Sequence, residues 1–193
     1  MATYSDTRNT FLQELGINPE TAFPLLDEMD AHAGKAIKDL KINVLNFLNN
    51  TKELSKKEAS FLAYGTALNQ KHELLTNVFK AIAIKNEATE AELAEVVACV
   101  SLMNVNNVFY RFRHFVPKEA YQAPAGIKMS IMMNPVLGKE FFELLSLAIS
   151  ALNGCELCIK AHEESVLGHG GREARIYEAV RATAVIKGFT AVL

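Results

Sequence analysis

The chain has 193 residues, of which 50% are hydrophobic and 22% are charged. A chain of this length and apolar content predicts one globular domain with a sizeable core over residues 1–193, and it argues against disorder. The formal net charge of −2 provides no positive field for phosphate backbones, so we expect no nucleic-acid partner.

The N-terminus and the apolar segments predict a cytoplasmic protein that does not enter a membrane. Residues 1–8 lack the basic start and the apolar core of a signal peptide. The longest run without Asp, Glu, Lys or Arg covers residues 96–110, which is too short for a membrane helix. The three cysteines are too few for a secreted disulfide framework, and the close pair Cys155 and Cys158 is typical of redox or metal chemistry in a reducing compartment.

Helix signals dominate the sequence, and strand signals are almost absent. Two capping boxes, Ser55-Lys56-Lys57-Glu58 and Thr89-Glu90-Ala91-Glu92, each precede a long stretch with helical apolar spacing. The pattern predicts an all-α protein with helices at 20–32, 35–49, 56–69, 71–85, 90–109, 139–152, 156–167 and 172–187.

A weak internal repeat suggests two similar helical halves, at about residues 40–110 and 127–193. Ala67-Leu68-Asn69 recurs as Ala151-Leu152-Asn153. Between the halves, residues 116–138 carry three of the five prolines. We predict that this segment is the loosest one, because proline interrupts helices. Only the second half contains the cysteine pair, so we expect chemistry on one side of the molecule.

The motif that carries chemistry is Cys155-Glu-Leu-Cys158 with His162 four residues beyond it. After the break at Asn153-Gly154, Cys155 is predicted in the first turn of a new helix, where free N–H groups and the helix macrodipole favour the thiolate. Cys158 and His162 follow at one-turn intervals on the same face. The spacing therefore predicts nucleophilic attack, acid–base help and disulfide formation at one place.

Glu143 lies in the helix that leads into this motif. If that helix packs antiparallel to the next one across the Asn-Gly turn, the Glu143 carboxylate faces the His162 imidazole and completes a Glu–His–Cys relay. The sequence neighbours of Glu143 are Phe and Leu, so we expect an apolar environment that raises its pKa and suits it to proton transfer.

The spacing Glu-x11-Cys-x2-Cys-x3-His at Glu143, Cys155, Cys158 and His162 resembles the signature of the alkyl hydroperoxidase D (AhpD) family, within the carboxymuconolactone decarboxylase-like superfamily. Residues 103–114 also resemble the Asn-Asn-Val-Tyr-Tyr-Arg-Phe stretch of that family. The resemblance implies an all-helical AhpD-like fold that assembles as a homotrimer or a dimer of trimers.

The same resemblance implies a thiol-dependent alkyl hydroperoxide reductase of antioxidant defence that is also a disulfide reductase. Cys158 would attack the organic hydroperoxide, Cys155 would resolve the product, and His162 and Glu143 would relay protons. A redox-active disulfide would serve in place of a bound cofactor, with electrons from a dihydrolipoyl protein and a peroxiredoxin as the reduced partner. Leu157 stands where the family often has a second His, which predicts weaker peroxidase activity.

Two other interpretations stay open at this point. Cys155, Cys158, His162 and His169 form a Cys-x2-Cys-x3-His-x6-His run that suits zinc, which would make the chain a zinc-stabilised, non-enzymatic interaction module. Other members of the superfamily are decarboxylases, and such an enzyme would need neither thiol. The third cysteine, Cys99, lies among apolar residues and is expected in the core.

Overall fold

The computed structural model describes residues 4–193, and these residues form helices and loops without a strand. The all-α prediction is therefore confirmed. The elements are α1 (Asp6–Glu14), α2 (Pro24–His32), α3 (Gly34–Asn49), α4 (Lys56–Asn69), α5 (Glu73–Lys85), α6 (Glu90–Phe115), α7 (Lys139–Leu152), α8 (Glu156–Gly168) and α9 (Glu173–Thr190), with 3-10 turns at Glu119–Tyr121 and Ser130–Met132. Every predicted helix is present, and the largest shifts are at the start of α2 and the end of α6.

α1 is a helix that the sequence pattern does not predict. It begins after Ser5, whose hydroxyl accepts a hydrogen bond from the backbone N–H of Arg8. The Arg8 side chain is fully buried and pairs with Asp27 at 2.7 Å, and Phe11 packs on the α9 residue Phe189 with 5.0 Å between ring centroids. Tertiary contacts therefore stabilise a helix whose own sequence is mostly polar.

Both predicted capping boxes are present. The Ser55 hydroxyl accepts from the backbone N–H of Glu58, whose carboxylate accepts in return from the backbone N–H of Ser55. Thr89 and Glu92 make the same reciprocal pair at the start of α6. These pairs fix where α4 and α6 begin because they satisfy N–H groups that have no partner within the helix.

The internal repeat is visible in the backbone. α7, α8 and α9 each begin 83 residues after α4, α5 and α6. The turns between these helices repeat as well: Lys71 and Gly154 both have positive φ, and so do Glu87 and Gly170. Positive φ is unusual for a residue other than glycine, so its recurrence at the same spacing shows that the two halves share a backbone pattern.

The register suggested by the sequence was wrong by one residue. Matching Ala67-Leu68-Asn69 with Ala151-Leu152-Asn153 implies an offset of 84 residues, whereas the helices and turns repeat at 83. Asn69 and Asn153 are not equivalent positions. Their side chains are instead partners, since Nδ2 of Asn69 donates to Oδ1 of Asn153 at 2.9 Å.

α7 lies in the centre of the helical core. All of its residues from 141 to 150 are buried, and it packs against α4, α6, α8 and α9. This continuous burial explains why most residues of the helix are apolar. The core therefore surrounds the helix that carries Glu143.

α6 is the one helix within residues 4–193 that is long and apolar enough to cross a membrane by length and composition. In the structure it packs against α4, α7 and α8 and buries the polar residues Glu95, Asn106 and Asn107. A core helix passes the same length and composition test, so this finding by itself is weak evidence for a membrane span.

Residues 116–138 form the irregular crossing that the prolines predict. Its C-terminal end is tied to α6, because the buried Glu95 carboxylate accepts the backbone N–H groups of Val136 at 2.8 Å and Leu137 at 2.6 Å. Glu178, 83 residues after Glu95, accepts the N–H groups of Lys52 and Glu53 ahead of α4. A buried carboxylate thus holds the entry to α4 and to α7.

Candidate redox site

Cys155 and Cys158 are joined by a disulfide at the start of α8, with 5.3 Å between their Cα atoms. Cys155 is the N-cap residue of that helix, as the sequence predicts. Gly154, with φ of 68°, makes the turn, and the N–H of Cys155 donates to the Ser150 carbonyl at 3.1 Å. Cys155 is fully buried and Cys158 is 6% exposed, so Cys158 is the more exposed residue of the pair.

Glu143 and His162 face each other between α7 and α8. Nδ1 of His162 lies 2.7 Å from Oε2 of Glu143, and both side chains are largely buried. The expected antiparallel arrangement across the Asn-Gly turn is therefore confirmed. Because the carboxylate occupies Nδ1, Nε2 is the imidazole nitrogen that remains for another proton partner.

Lys139 is a third member of this cluster, and the sequence analysis did not identify it. Its Nζ lies 3.0 Å from Oε1 of Glu143, one turn later on α7, and donates to the Met132 carbonyl at 2.6 Å. The signal that could have found it is the Lys–Glu spacing of four residues, which places the two side chains on one helix face.

The expectation that the pKa of Glu143 is raised was wrong. Burial by itself raises the pKa of this carboxyl group, but hydrogen bonds from His162 and Lys139, together with their charges, outweigh burial and hold the pKa below its usual value. Glu143 is therefore a carboxylate near neutral pH. It can accept the Nδ1 proton of His162 and stabilise the imidazolium when one forms.

A chain of amide side chains holds the turn before Cys155. Nδ2 of Asn153 donates to Oδ1 of Asn107 at 2.9 Å, and Nδ2 of Asn107 donates to the Ser150 hydroxyl at 2.8 Å. Asn69 donates to Oδ1 of Asn153 at 2.9 Å, and Arg111 donates to the Asn153 carbonyl at 2.5 Å. The sequence marks Asn107 and Arg111 only as part of a family-like stretch and gives no sign that they meet this turn.

Cys99 lies in the core, as predicted. It is fully buried, and its sulfur is 3.4 Å from the Ser146 hydroxyl oxygen. Burial, more than any other cause, raises the pKa of the Cys99 thiol to about 12. A thiol with that pKa carries almost no thiolate near neutral pH, so Cys99 is a poor nucleophile.

The four residues that would form a zinc site do not come together. Within residues 4–193, no group of three or more His, Cys, Asp or Glu side chains is arranged to hold a metal ion. The two cysteine sulfurs are bonded to each other, and His169 is exposed, with Nδ1 2.7 Å from the Ser165 carbonyl of its own helix.

The site belongs to the second half of the repeat only. In the register of 83 residues, the positions of the first half that match Glu143, Cys155, Cys158 and His162 carry neither a carboxylate nor a thiol, and these counterparts are Ser60, His72, Leu75 and Phe79. The first half therefore has no copy of the cluster at these positions.

Sequence relatives resemble the chain over most of its length. It is 38% identical to the alkyl hydroperoxide reductase AhpD of Coxiella burnetii (strain Dugway 5J108-111) over 162 residues, which covers 80% of this chain and 89% of the relative. It is 37% identical to the protein of the same name from Maricaulis maris (strain MCS10) over 175 residues, which covers 87% of this chain and 96% of the relative. The chain belongs to the AhpD family.

Two broader comparisons concern the C-terminal part of the chain and the overall fold. The model of the Carboxymuconolactone decarboxylase family matches residues 118–193, which contain the disulfide and the Glu143–His162 pair. A crystal structure described as a candidate gamma-carboxymuconolactone decarboxylase subunit from Burkholderia xenovorans LB400 superimposes with a TM-score of 0.66 and 14% identity, over 98% of this chain and 96% of that chain. At this identity the likeness shows a shared fold alone.

The surface beside the disulfide includes the side chain of Leu157. This residue, between the two cysteines, is 44% exposed. It borders an open groove of about 320 Å³ whose other lining residues are Tyr110, Arg113, His114, Pro117 and Gln122. Leu157 therefore presents an apolar side chain to solvent next to the disulfide.

Proposed function

We propose that this AhpD-family chain is a thiol-dependent peroxidase and disulfide reductase of antioxidant defence that reduces organic hydroperoxides. The observation that carries the proposal is the 2.7 Å contact between Glu143 of α7 and His162 of α8, since the Cys155–Cys158 disulfide lies at the start of α8. A nucleophile, a resolving thiol and a base oriented by a carboxylate are the groups that such chemistry needs.

The reaction begins with the reduced pair. The Cys158 thiolate attacks the terminal oxygen of the hydroperoxide, the O–O bond breaks, and the alkoxide leaves as an alcohol after it takes a proton. Cys158 is then a sulfenic acid. The Cys155 thiol attacks this sulfur, water leaves, and the disulfide forms. An external dithiol reduces that disulfide by thiol exchange and is itself oxidised, which restores both thiols.

His162 and Glu143 handle the proton in the first step. Nε2 of His162 takes the proton of the Cys158 thiol and gives it to the departing alkoxide, while the ionised Glu143 stabilises the imidazolium through Nδ1. The first turn of α8 favours the Cys158 thiolate in addition, because its backbone N–H groups carry partial positive charge.

The exposure of the two residues supports the two cysteine roles. Cys158 is 6% exposed and precedes His162 by one turn, so it is assigned the attack on peroxide. Cys155 is fully buried at the N-cap and is assigned the resolving step.

The partners follow from the chemistry and from the family. A dihydrolipoyl protein would supply the electrons, and a peroxiredoxin disulfide would receive them from the reduced pair, without a further cofactor. The exposed apolar residues Val105, Val108, Phe112 and Phe115 repeat at spacings of three and four along α6, which supports a symmetric assembly, either a homotrimer or a dimer of trimers. The proposed location is the cytoplasm.

Thiol titration tests the proposed function. The reduced chain should lose two of its three thiols when one equivalent of cumene hydroperoxide is added, and mass analysis should place the new disulfide between Cys155 and Cys158. Cys99 should stay free, and a Cys99→Ser variant should behave in the same way. Coupling of Cys99 to another cysteine, or three thiols that survive the peroxide, would rule the proposal out.

A decarboxylase is the second candidate, because the matching family model is named for one. Such an enzyme would act without either thiol. A protein with both Cys155→Ser and Cys158→Ser should therefore keep decarboxylation of a muconolactone carboxylate if this alternative holds, whereas it should lose all peroxide reduction under the main proposal.

A further inference from the structure

We infer that Lys139 is a positioning residue of the redox site, whose ammonium group holds the Glu143 carboxylate in the ionised state and orientation that His162 requires. The consequence for the reaction rate depends on the proposed function. The effect on Glu143 itself does not, since it follows from the contacts within the cluster.

The two oxygens of Glu143 are divided between two partners. Oε1 lies 3.0 Å from Nζ of Lys139, and Oε2 lies 2.7 Å from Nδ1 of His162. A carboxylate that is held at both oxygens cannot rotate without the loss of one contact. Lys139 therefore fixes the plane in which Glu143 meets the imidazole.

The Lys139 ammonium is itself held from a second direction. Nζ donates to the Met132 carbonyl at 2.6 Å, so the crossing segment before α7 supplies an acceptor. The Lys139 side chain is 34% exposed, while that of Glu143 is 3% exposed. Lys139 thus reaches from the surface and brings a positive charge to the edge of a buried anion, without full desolvation of its own charge.

The other titratable groups near Glu143 do not replace this charge. From α6, Cys99 and Glu95 lie in the same region, and neither a thiol nor a carboxyl group can supply a positive charge. Arg175 of α9 forms salt bridges with Glu140 of α7 and Glu58 of α4 rather than with Glu143. Within residues 4–193, Lys139 is the one Lys or Arg in contact with Glu143, and burial opposes ionisation of that carboxyl group.

Loss of the Lys139 charge should therefore raise the pKa of Glu143. A protonated Glu143 no longer accepts a charge-assisted hydrogen bond from Nδ1, so His162 loses the partner that fixes its tautomer and stabilises its charged form. The ratio of kcat/KM in such a variant to kcat/KM in the unmodified chain should therefore fall as the pH drops through the raised Glu143 midpoint.

The experiment compares four variants of the full chain. Lys139→Met removes the charge and the donor, Lys139→Gln keeps a donor without charge, and Lys139→Arg keeps both. Lys57→Met is the matched control, because Lys57 is 32% exposed and pairs with Glu92 at 2.6 Å away from the redox site. Circular dichroism establishes that each variant is folded, and Lys139→Gln and Lys139→Arg still decide the question if Lys139→Met does not fold.

Two measurements are made on each variant. Carbon-13 NMR follows the titration of the Glu143 carboxyl group, which is assigned with Glu143→Gln. Steady-state kinetics give kcat/KM for cumene hydroperoxide as a function of pH, with dihydrolipoamide as the electron donor. We expect Lys139→Met and Lys139→Gln to raise the Glu143 midpoint by roughly one pH unit and to lower kcat/KM, relative to the unmodified chain, below that midpoint. Lys139→Arg and Lys57→Met should give normal values.

Three results would overturn the inference. An unchanged Glu143 midpoint in Lys139→Met and Lys139→Gln would show that the ammonium does not hold the carboxylate. Wild-type behaviour of Lys139→Gln alone would show that the charge of Lys139 is not the cause. A raised Glu143 midpoint with an unchanged pH dependence of kcat/KM would show that Lys139 does not influence the reaction. If the unmodified chain does not react with peroxide, the proposed function fails, and the NMR titration still decides on Lys139.

Discussion

Nδ1 of His162 lies 2.7 Å from Oε2 of Glu143, although the two residues are 19 positions apart and belong to different helices. The contact exists because α7 and α8 fold back on each other at the Gly154 turn, which also places Cys155 at the N-cap of α8. The Gly154 turn therefore determines the positions of both the His162 base and the disulfide.

The first prediction concerns this pair. Glu143→Gln and His162→Ala should each slow peroxide reduction by about 10²–10⁴-fold, the usual contribution of positioned acid–base groups. The double variant should lose little more than either single variant, because a proton relay works as a unit. Glu140→Gln is the matched control on α7, since Glu140 pairs with Arg175 rather than with the imidazole. Full activity in Glu143→Gln would show that the carboxylate takes no part.

The geometry of this pair could be predicted because it depends on local features. A helix, an Asn-Gly break and a second helix define a hairpin, and the spacing of Glu143 and His162 then places them opposite each other. The sign of the Glu143 pKa shift could not be predicted from sequence neighbours. The pKa of Glu143 depends on Lys139, one turn away on the same helix, and on His162 of the neighbouring helix. The Phe and Leu residues next to Glu143 in the sequence point to other sides of the helix.

α1 and the asparagine chain could not be predicted for a different reason. Arg8 is buried because Asp27 of α2 supplies its partner, and the Asn153 turn is held by residues of α4 and α6. No local pattern records such contacts. The register of the repeat was mistaken because short alanine-rich strings match by chance, whereas the positive φ angles at Lys71 and Gly154 are a property of the backbone.

The second prediction separates the roles of the two cysteines. In Cys155→Ser, peroxide should leave Cys158 as a sulfenic acid, because the resolving thiol is missing. Dimedone should trap it, and mass analysis should locate the label on Cys158. In Cys158→Ser, the rate of peroxide consumption should fall to that of a protein without either thiol. Label on Cys155 in the second variant would reverse the assignment.

The third prediction concerns the asparagine chain. Asn107→Leu removes the acceptor of Asn153 and the donor to Ser150 in a buried place, so the free energy of unfolding should fall by about 1–3 kcal/mol. Urea denaturation measures this loss. Asn77→Leu, at an exposed position of α5, is the matched control and should change stability by no more than about 0.5 kcal/mol. Equal effects of the two changes would contradict a structural role for the chain.

The fourth prediction is the pH dependence of stability at Glu143. Its pKa is lower in the folded state than in the unfolded chain, so its contribution is fully present above the unfolded value of about 4.3 and is lost as the pH falls through the folded value. The difference in unfolding free energy between the unmodified chain and Glu143→Gln should therefore be largest near neutral pH and shrink on acidification. Urea denaturation of both oxidised proteins over a pH series measures this difference, and a difference that grows at low pH would contradict the assigned direction.

The last prediction concerns the exposed apolar face of α6. If this face is the interface of a homotrimer or a dimer of trimers, light scattering at micromolar concentration should give three or six times the chain mass of 21.3 kDa. Val108, which is 62% exposed, lies within the face, and Val108→Asp should shift the mass toward a single chain because a carboxylate is costly to bury without a partner. Leu25→Asp on α2 is the control, since Leu25 is 58% exposed and lies on another helix. A monomeric mass for the unmodified chain would contradict the proposed oligomer without affecting the proposed cysteine chemistry. Dissociation by both substitutions would show that an added charge, rather than this face of α6, governs the assembly.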